Sequence, residues 1–161
     1  KNILNDRPII GTYNVHHEGS ADMYYKGANM LHTLRQLVEN DELWRSILTG
    51  LNKDFYHQTV TSKQIEDYIS EKTKKDLSAF FNQYLRSTKI PTLEYYETDE
   101  GIQFRYTDVV EGFDMPIRSF MNKEEKWIFP TTEWSKMPFS NKISFEFDPN
   151  FYINYIGLPA D

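Results

Sequence analysis

The chain of 161 residues contains no cysteine. That absence excludes disulfides, thiolate metal ligands and a cysteine nucleophile, and it leaves the compartment open. No apolar run approaches 18 residues and no charged-then-apolar leader is present, so neither a membrane span nor a signal peptide is expected within these residues. Positive charge is scarce: 18 basic residues face 24 acidic ones, net −6. Residues 1–90 carry net +1 and residues 91–161 net −7, so no basic groove forms and nucleic acid is not an expected partner. Histidine is limited to His16, His17, His32 and His57, none with a second histidine four residues on. No phosphate loop, nucleophile elbow or paired-carboxylate signature occurs.

What remains is a globular composition, 39% hydrophobic and 16% aromatic. A compact chain of this size buries roughly 68–70% of its unfolded surface, enough for a core without covalent staples. Apolar residues recur at helical spacing in four segments. The first runs from about Ala21 to Glu39, with Met23, Gly27, Met30, Leu31, Leu34, Leu37 and Val38 on one stripe. Asn40 suits a cap for a second helix carrying Leu43, Trp44, Ile47, Leu48, Leu51 and Phe55, with Gly50 an interruption. Thr61 and Gln64 match a capping box, with Val60 and Ile65 at staple positions, so a third helix starts at Ser62. A fourth, from about Asp76, buries Leu77, Phe80, Phe81, Tyr84 and Leu85, and Ile90-Pro91 ends helical structure.

Beyond Pro91 the period becomes two. Leu93 and Tyr95 face Ile102, Phe104 and Tyr106 across the turn Thr98-Asp99-Glu100-Gly101. Ile117–Met121, Lys126–Phe129, Ile143–Phe147 and Phe151–Tyr155 repeat the alternation. The predicted fold is therefore α+β with segregated halves: four helices, then a small antiparallel β-sandwich. The predicted division is a helical part over 1–90 and a sandwich domain over 91–161.

The start of the first helix reads Asp22-Met23-Tyr24-Tyr25-Lys26-Gly27-Ala28, running into Asn29-Met30-Leu31-His32-Thr33-Leu34-Arg35. It resembles the Tyr-x-Lys-Gly-Ala segment of the gluzincin aminopeptidases, zinc exopeptidases similar to aminopeptidase N. The likeness extends through Phe80-Phe81-Asn82-Gln83-Tyr84-Leu85 and Ile90-Pro91-Thr92-Leu93-Glu94, and would cover most of residues 10–156. In that family the first tyrosine of the segment donates a hydrogen bond to the oxyanion of the tetrahedral intermediate, and Tyr24 matches it. The family's His-Glu-x-x-His zinc site and Gly-x-Met-Glu-Asn loop have no counterpart here. The resemblance thus implies the back portion of a longer zinc aminopeptidase acting on peptides, with a helical catalytic part followed by a small β-domain. Zinc and its ligands would come from the missing N-terminal part of the same polypeptide, and this segment alone is expected to hold no zinc and to be inactive. Lys1 in place of methionine fits that expectation.

Each candidate residue also has a plainer reading. From the stripe, Tyr24 lies about 80° off the buried centre near Leu34, at the rim, where a phenol can pack its ring and direct its hydroxyl into a cleft. A phenol is a compact, neutral donor suited to an oxyanion. The alternative is a helix-flank tyrosine half buried against a neighbour. Lys26 is expected to be a solvated helix lysine, and Gly27 to mark close packing. Glu18 and Asp22 read as capping or surface groups before they read as supports for Tyr24. His16 and His17 with Glu18 invite a metal, but neighbours in an extended segment point apart. The fifteen aromatics of residues 91–161, Trp127 and Trp134 among them, read as sandwich core before a stacking platform. The competing function class is a non-catalytic helical-plus-sandwich interaction module.

Overall fold

The computed structural model describes residues 2–12, 20–139 and 144–159. The four helical segments become α1 (Asp22–Val38), α2 (Asp41–Asp54), α3 (Ser62–Thr73) and α4 (Ser78–Arg86). Their ends follow local chemistry. Asn40 caps α2 by accepting the Leu43 amide at 2.8 Å, and Asp41 and Glu42 follow in the electropositive first turn. The capping box of α3 closes both ways: Gln64 Oε1 accepts the Thr61 amide at 2.8 Å and Thr61 Oγ1 accepts the Gln64 amide at 3.3 Å. Helix α4 begins at Ser78, two residues later than expected, because the Asp76 carboxylate stays outside and accepts the Ser78 amide at 2.9 Å. Gly50 belongs in α2 because a Cβ there would collide with the Tyr68 hydroxyl of α3.

Past Pro91 the chain builds β1 (Thr92–Thr98), β2 (Gly101–Thr107), β3 (Ile117–Met121), β4 (Glu124–Ile128), β5 (Ser135–Pro138), β6 (Phe145–Phe147) and β7 (Asn154–Gly157). One sheet has the order β5-β2-β1-β7 and the other β4-β3-β6. The sheets face each other: the Phe147 ring of β6 meets Tyr95 of β1 edge-on at 4.9 Å and stacks on Tyr155 of β7 at 4.7 Å. The Thr98–Gly101 hairpin turn forms where expected. Thr98 pairs with Gly101, whose φ of +145° and close approach to Met137 leave no room for a side chain. Asn122 and Lys123, both at positive φ, join β3 to β4 in the twist that a two-residue hairpin needs.

The sandwich is antiparallel except at one edge, where β7 runs parallel to β1, Thr92 opposite Asn154. A parallel neighbour requires a crossover, and here the second sheet supplies it. The strand expected over Phe151–Tyr155 starts at Asn154 instead, since Phe151 and Ile153 are both buried in irregular backbone. Strand β5 has no counterpart among the sequence expectations; four residues are too few for a period to show. Part of the expected Ile143–Phe147 strand lies outside the described residues.

The two halves share one apolar cluster, to which α1 brings Met30, Leu34 and Leu37, α4 brings Phe80, Phe81 and Tyr84, and β2 brings Ile102, Phe104 and Tyr106. Polar ties cross the same junction. Gln83, fully buried, donates to the carbonyls of Lys89 at 2.9 Å and Asp108 at 3.1 Å and accepts the Val110 amide at 2.7 Å. Tyr84 donates its hydroxyl to the Tyr152 carbonyl at 2.8 Å, and Thr33 accepts the Tyr152 amide at 2.9 Å. Arg118 reaches both Asp148 at 2.7 Å and Gln36 of α1 at 2.6 Å.

Gln83→Leu keeps the volume but removes the partner of three part-buried backbone groups, those of Lys89, Asp108 and Val110, so a loss of about 1–2 kcal/mol is expected in urea unfolding. Thr61→Ala, which removes only an exposed cap, should cost about 1 kcal/mol.

Candidate functional site

The residues around Tyr24 are held by the start of α1. Ala21 is the formal cap and makes no side-chain bond. Ser20 substitutes for it: its hydroxyl accepts the Asp22 amide at 3.2 Å and donates to Asp6 at 3.3 Å. Asp22, expected at the surface, is 0% exposed. Its carboxylate accepts the Leu4 amide at 2.8 Å and the Asn5 amide at 2.6 Å, in the first turn where the helix dipole also favours a negative charge.

Lys26 overturns its expectation most clearly. It too is 0% exposed, and its ammonium donates to the Ser87 carbonyl at 2.8 Å. Ser87 is the C-cap of α4, so the cation sits at the electronegative end of that helix. Burial lowers the Lys26 pKa from its ordinary 10.5, and the Asp22 carboxylate opposes that shift. Beside this pair lie two buried polar atoms without a hydrogen-bond partner among the described residues, Asn5 Oδ1 and the Tyr152 hydroxyl. Burial pushes the Tyr152 phenol above its usual pKa; the nearby Asn5 side chain acts against that shift and the Asp22 charge adds to it.

These buried charges explain why the stripe read from apolar residues was misplaced. The side chains that α1 buries are Asp22, Lys26, Met30, Thr33, Leu34 and Leu37. At about 100° per residue their mean direction leaves Tyr24 about 150° away, on the outer face and not at the rim. Tyr24 is accordingly 69% exposed, Met23 51% and Leu31 40%. Its ring is not enclosed by its own neighbours. Tyr25 is exposed as well, its carbonyl accepting the Asn29 amide group at 2.8 Å. Gly27 makes no close approach: a Cβ there would meet nothing within 4 Å, and nothing in the structure requires glycine.

A separate hollow lined by Leu37, Leu77, Phe80, Phe113, Met115 and Phe129 lies at the helix–sheet junction. Leu37 is thirteen residues along α1 from Tyr24, roughly 20 Å at the helical rise, so the phenol does not open into it. Trp127, partly buried, packs on Phe151 at 5.9 Å at the edge of the core, whereas Trp134 stays on the surface with Tyr96 at its edge at 5.1 Å and Arg105 over its ring at 4.7 Å. His16, His17 and Glu18 lie outside the described residues. Among the described residues no group of three or more His, Cys, Asp or Glu could hold a metal ion, and no helix is long and apolar enough to cross a membrane.

No protein-family model matches the chain. Aminopeptidase N of Lactococcus lactis subsp. lactis is 23% identical over 120 residues, which are 74% of this chain and 13% of that protein. Among solved structures, Legionella pneumophila aminopeptidase A in complex with aspartic acid superposes with a TM-score of 0.64 at 19% identity, over 88% of this chain and 18% of that one. The chain therefore spans less than a fifth of either protein. The structural likeness establishes a shared fold, and together the two support an aminopeptidase-like relationship.

The lowered pKa of Lys26 has a definite sign. Between its folded value and 10.5 the unfolded chain binds more protons at this position, so stability rises with pH through that window. Urea unfolding followed as the pH rises toward 10.5 should show this rise in the unsubstituted chain, and Lys26→Met should lack that component of the slope.

Proposed function

We propose that the chain is the back portion of a zinc-dependent aminopeptidase of the gluzincin type, which releases N-terminal residues from peptides. Residues 1–90 are the helical part of its catalytic domain and residues 91–161 its small β-sandwich domain. The observation that carries the reading is a phenol standing outward on the first turn of α1, Tyr24, at the matching position of a Tyr-x-Lys-Gly-Ala segment. The sequence likeness to an aminopeptidase N and the fold shared with an aminopeptidase A support it.

When water attacks the scissile carbonyl, negative charge develops on its oxygen. Tyr24 donates its O–H to that oxygen, an interaction realised only as the tetrahedral centre forms. The outer face of α1, with Leu31 on the same side as Tyr24, forms a wall of the cleft in this reading. Among the described residues no group of three or more His, Cys, Asp or Glu could hold a metal ion, and in this reading the zinc ligands are supplied by another part of the polypeptide.

Reading the gene upstream of Lys1 should reveal His-Glu-x-x-His with a more distant glutamate. In the full-length protein, Tyr24→Phe should lower kcat about 10²- to 10³-fold with a much smaller change in KM, measured on an N-terminal amide substrate. An unchanged rate favours the interaction module. The purified 161-residue chain should release no amino acids whether or not zinc is added.

A further inference from the structure

The two fully buried charges of α1 flank the candidate oxyanion donor at equal spacing, Asp22 two residues before Tyr24 and Lys26 two residues after it. At about 100° per residue, each lies about 160° around the helix from Tyr24. Whatever pins both of them inward therefore turns Tyr24 outward. The pins are specific and reach in two directions. Asp22 is tied to the Leu4 and Asn5 amides at 2.8 and 2.6 Å, which anchors the turn to the lead-in segment. Lys26 is tied to the Ser87 carbonyl at 2.8 Å, which anchors it to the end of α4. The lead-in segment is itself fastened to α4, the Ile10 amide donating to the Leu85 carbonyl at 2.8 Å. The first turn of α1 is thus closed into a triangle with those two elements, with Tyr24 on its outer side.

Apolar side chains would bury this turn, but they would allow it to slide or rotate, because apolar contacts have no preferred direction. An ammonium held on one carbonyl and a carboxylate held on two amides do not slide. Each is also an ion that loses its partner if the helix rotates, and a buried ion without partners is costly.

We propose that Asp22 and Lys26 are positioning residues for Tyr24: their buried bonds set the rotation of α1 and thereby the direction of the phenolic hydroxyl. This rests on the reading of Tyr24 as the oxyanion donor. Oxyanion stabilisation depends on a donor held at 2.7–3.1 Å from the charged oxygen, so a turn free to rotate loses rate without losing substrate.

A double-mutant cycle in the full-length enzyme separates the two claims. Lys26→Met should lower kcat about 10-fold or more and change KM less than about 3-fold, while on a Tyr24→Phe background the same substitution should change kcat less than about 2-fold. Equal losses in both backgrounds would mean that Lys26 supports the fold at large, and would overturn the proposal. Asp22→Asn, which keeps volume and one acceptor, serves the same cycle if Lys26→Met does not fold. Hydrogen exchange on the 161-residue chain gives a readout independent of catalysis. Lys26→Met should speed exchange at the amides of Met23 to Lys26 at least about 10-fold more than in α3, and uniform acceleration would also overturn the proposal. A catalytically silent Tyr24→Phe combined with selective exchange in the first turn would sink the role of Tyr24 while leaving the clamp standing as a structural joint. Without that selectivity, both fail.

Discussion

An ammonium and a carboxylate, each with no solvent exposure, sit one helical turn apart on α1, and the arrangement around them depends on keeping both satisfied. Removing an ion from water costs several kcal/mol even after relaxation, so neither charge persists inside without directed partners. Here the partners are backbone groups, two amides of the lead-in segment for Asp22 and the C-cap carbonyl of α4 for Lys26. The attraction between the two charges and the dipoles of α1 and α4 offset the remaining cost. Such a pair adds little net stability compared with a well-packed apolar pair of the same size. Its contribution is geometric: it admits one rotation of α1 and one placement of the segments on either side.

The same logic governs the joint between the helical half and the sandwich. Apolar packing there is continuous, yet relative orientation is set by polar ties through Gln83, Tyr84, Thr33 and Arg118. Asp148, 2% exposed, illustrates the balance. Burial acts to raise its pKa, but bonds from Asn150 and Arg118 outweigh it and hold the carboxyl below its ordinary value. An ionised Asp148 keeps Arg118 in place, and Arg118 extends to Gln36 of α1. The outer face of α1 is thereby fixed from both ends, by Lys26 near its start and by Gln36 near its finish.

Much of the fold was legible because its signals are local. A capping box such as Thr61 and Gln64 involves atoms three residues apart, and the Asn40 cap and the Thr98–Gly101 turn are equally self-contained. The switch from period three-four to period two at Pro91 placed the boundary between helices and strands. The face of α1 was not legible in the same way. A periodicity that counts apolar residues as inside and charged ones as outside assigns Lys26 to water and Leu31 to the core, and both assignments are reversed. What buries Lys26 is a carbonyl sixty-one positions away. A motif marks Tyr24, but the reason it faces outward lies in its buried neighbours, which no local pattern marks.

The amino-acid sequence by itself determined the four helices, most of the strands, many of their termini and the segregation of helices from strands, because those depend on hydrogen bonds and side-chain periods within a few residues. It also carried the Tyr-x-Lys-Gly-Ala resemblance. Only the tertiary structure decided which face of α1 is buried, that β7 joins β1 in parallel, and that Gln83 is a junction inside the molecule. Each of these turns on a polar group finding its partner across a long stretch of chain. Whether a charge is inside or outside is a property of the partner it meets, and that partner exists only once the chain has folded.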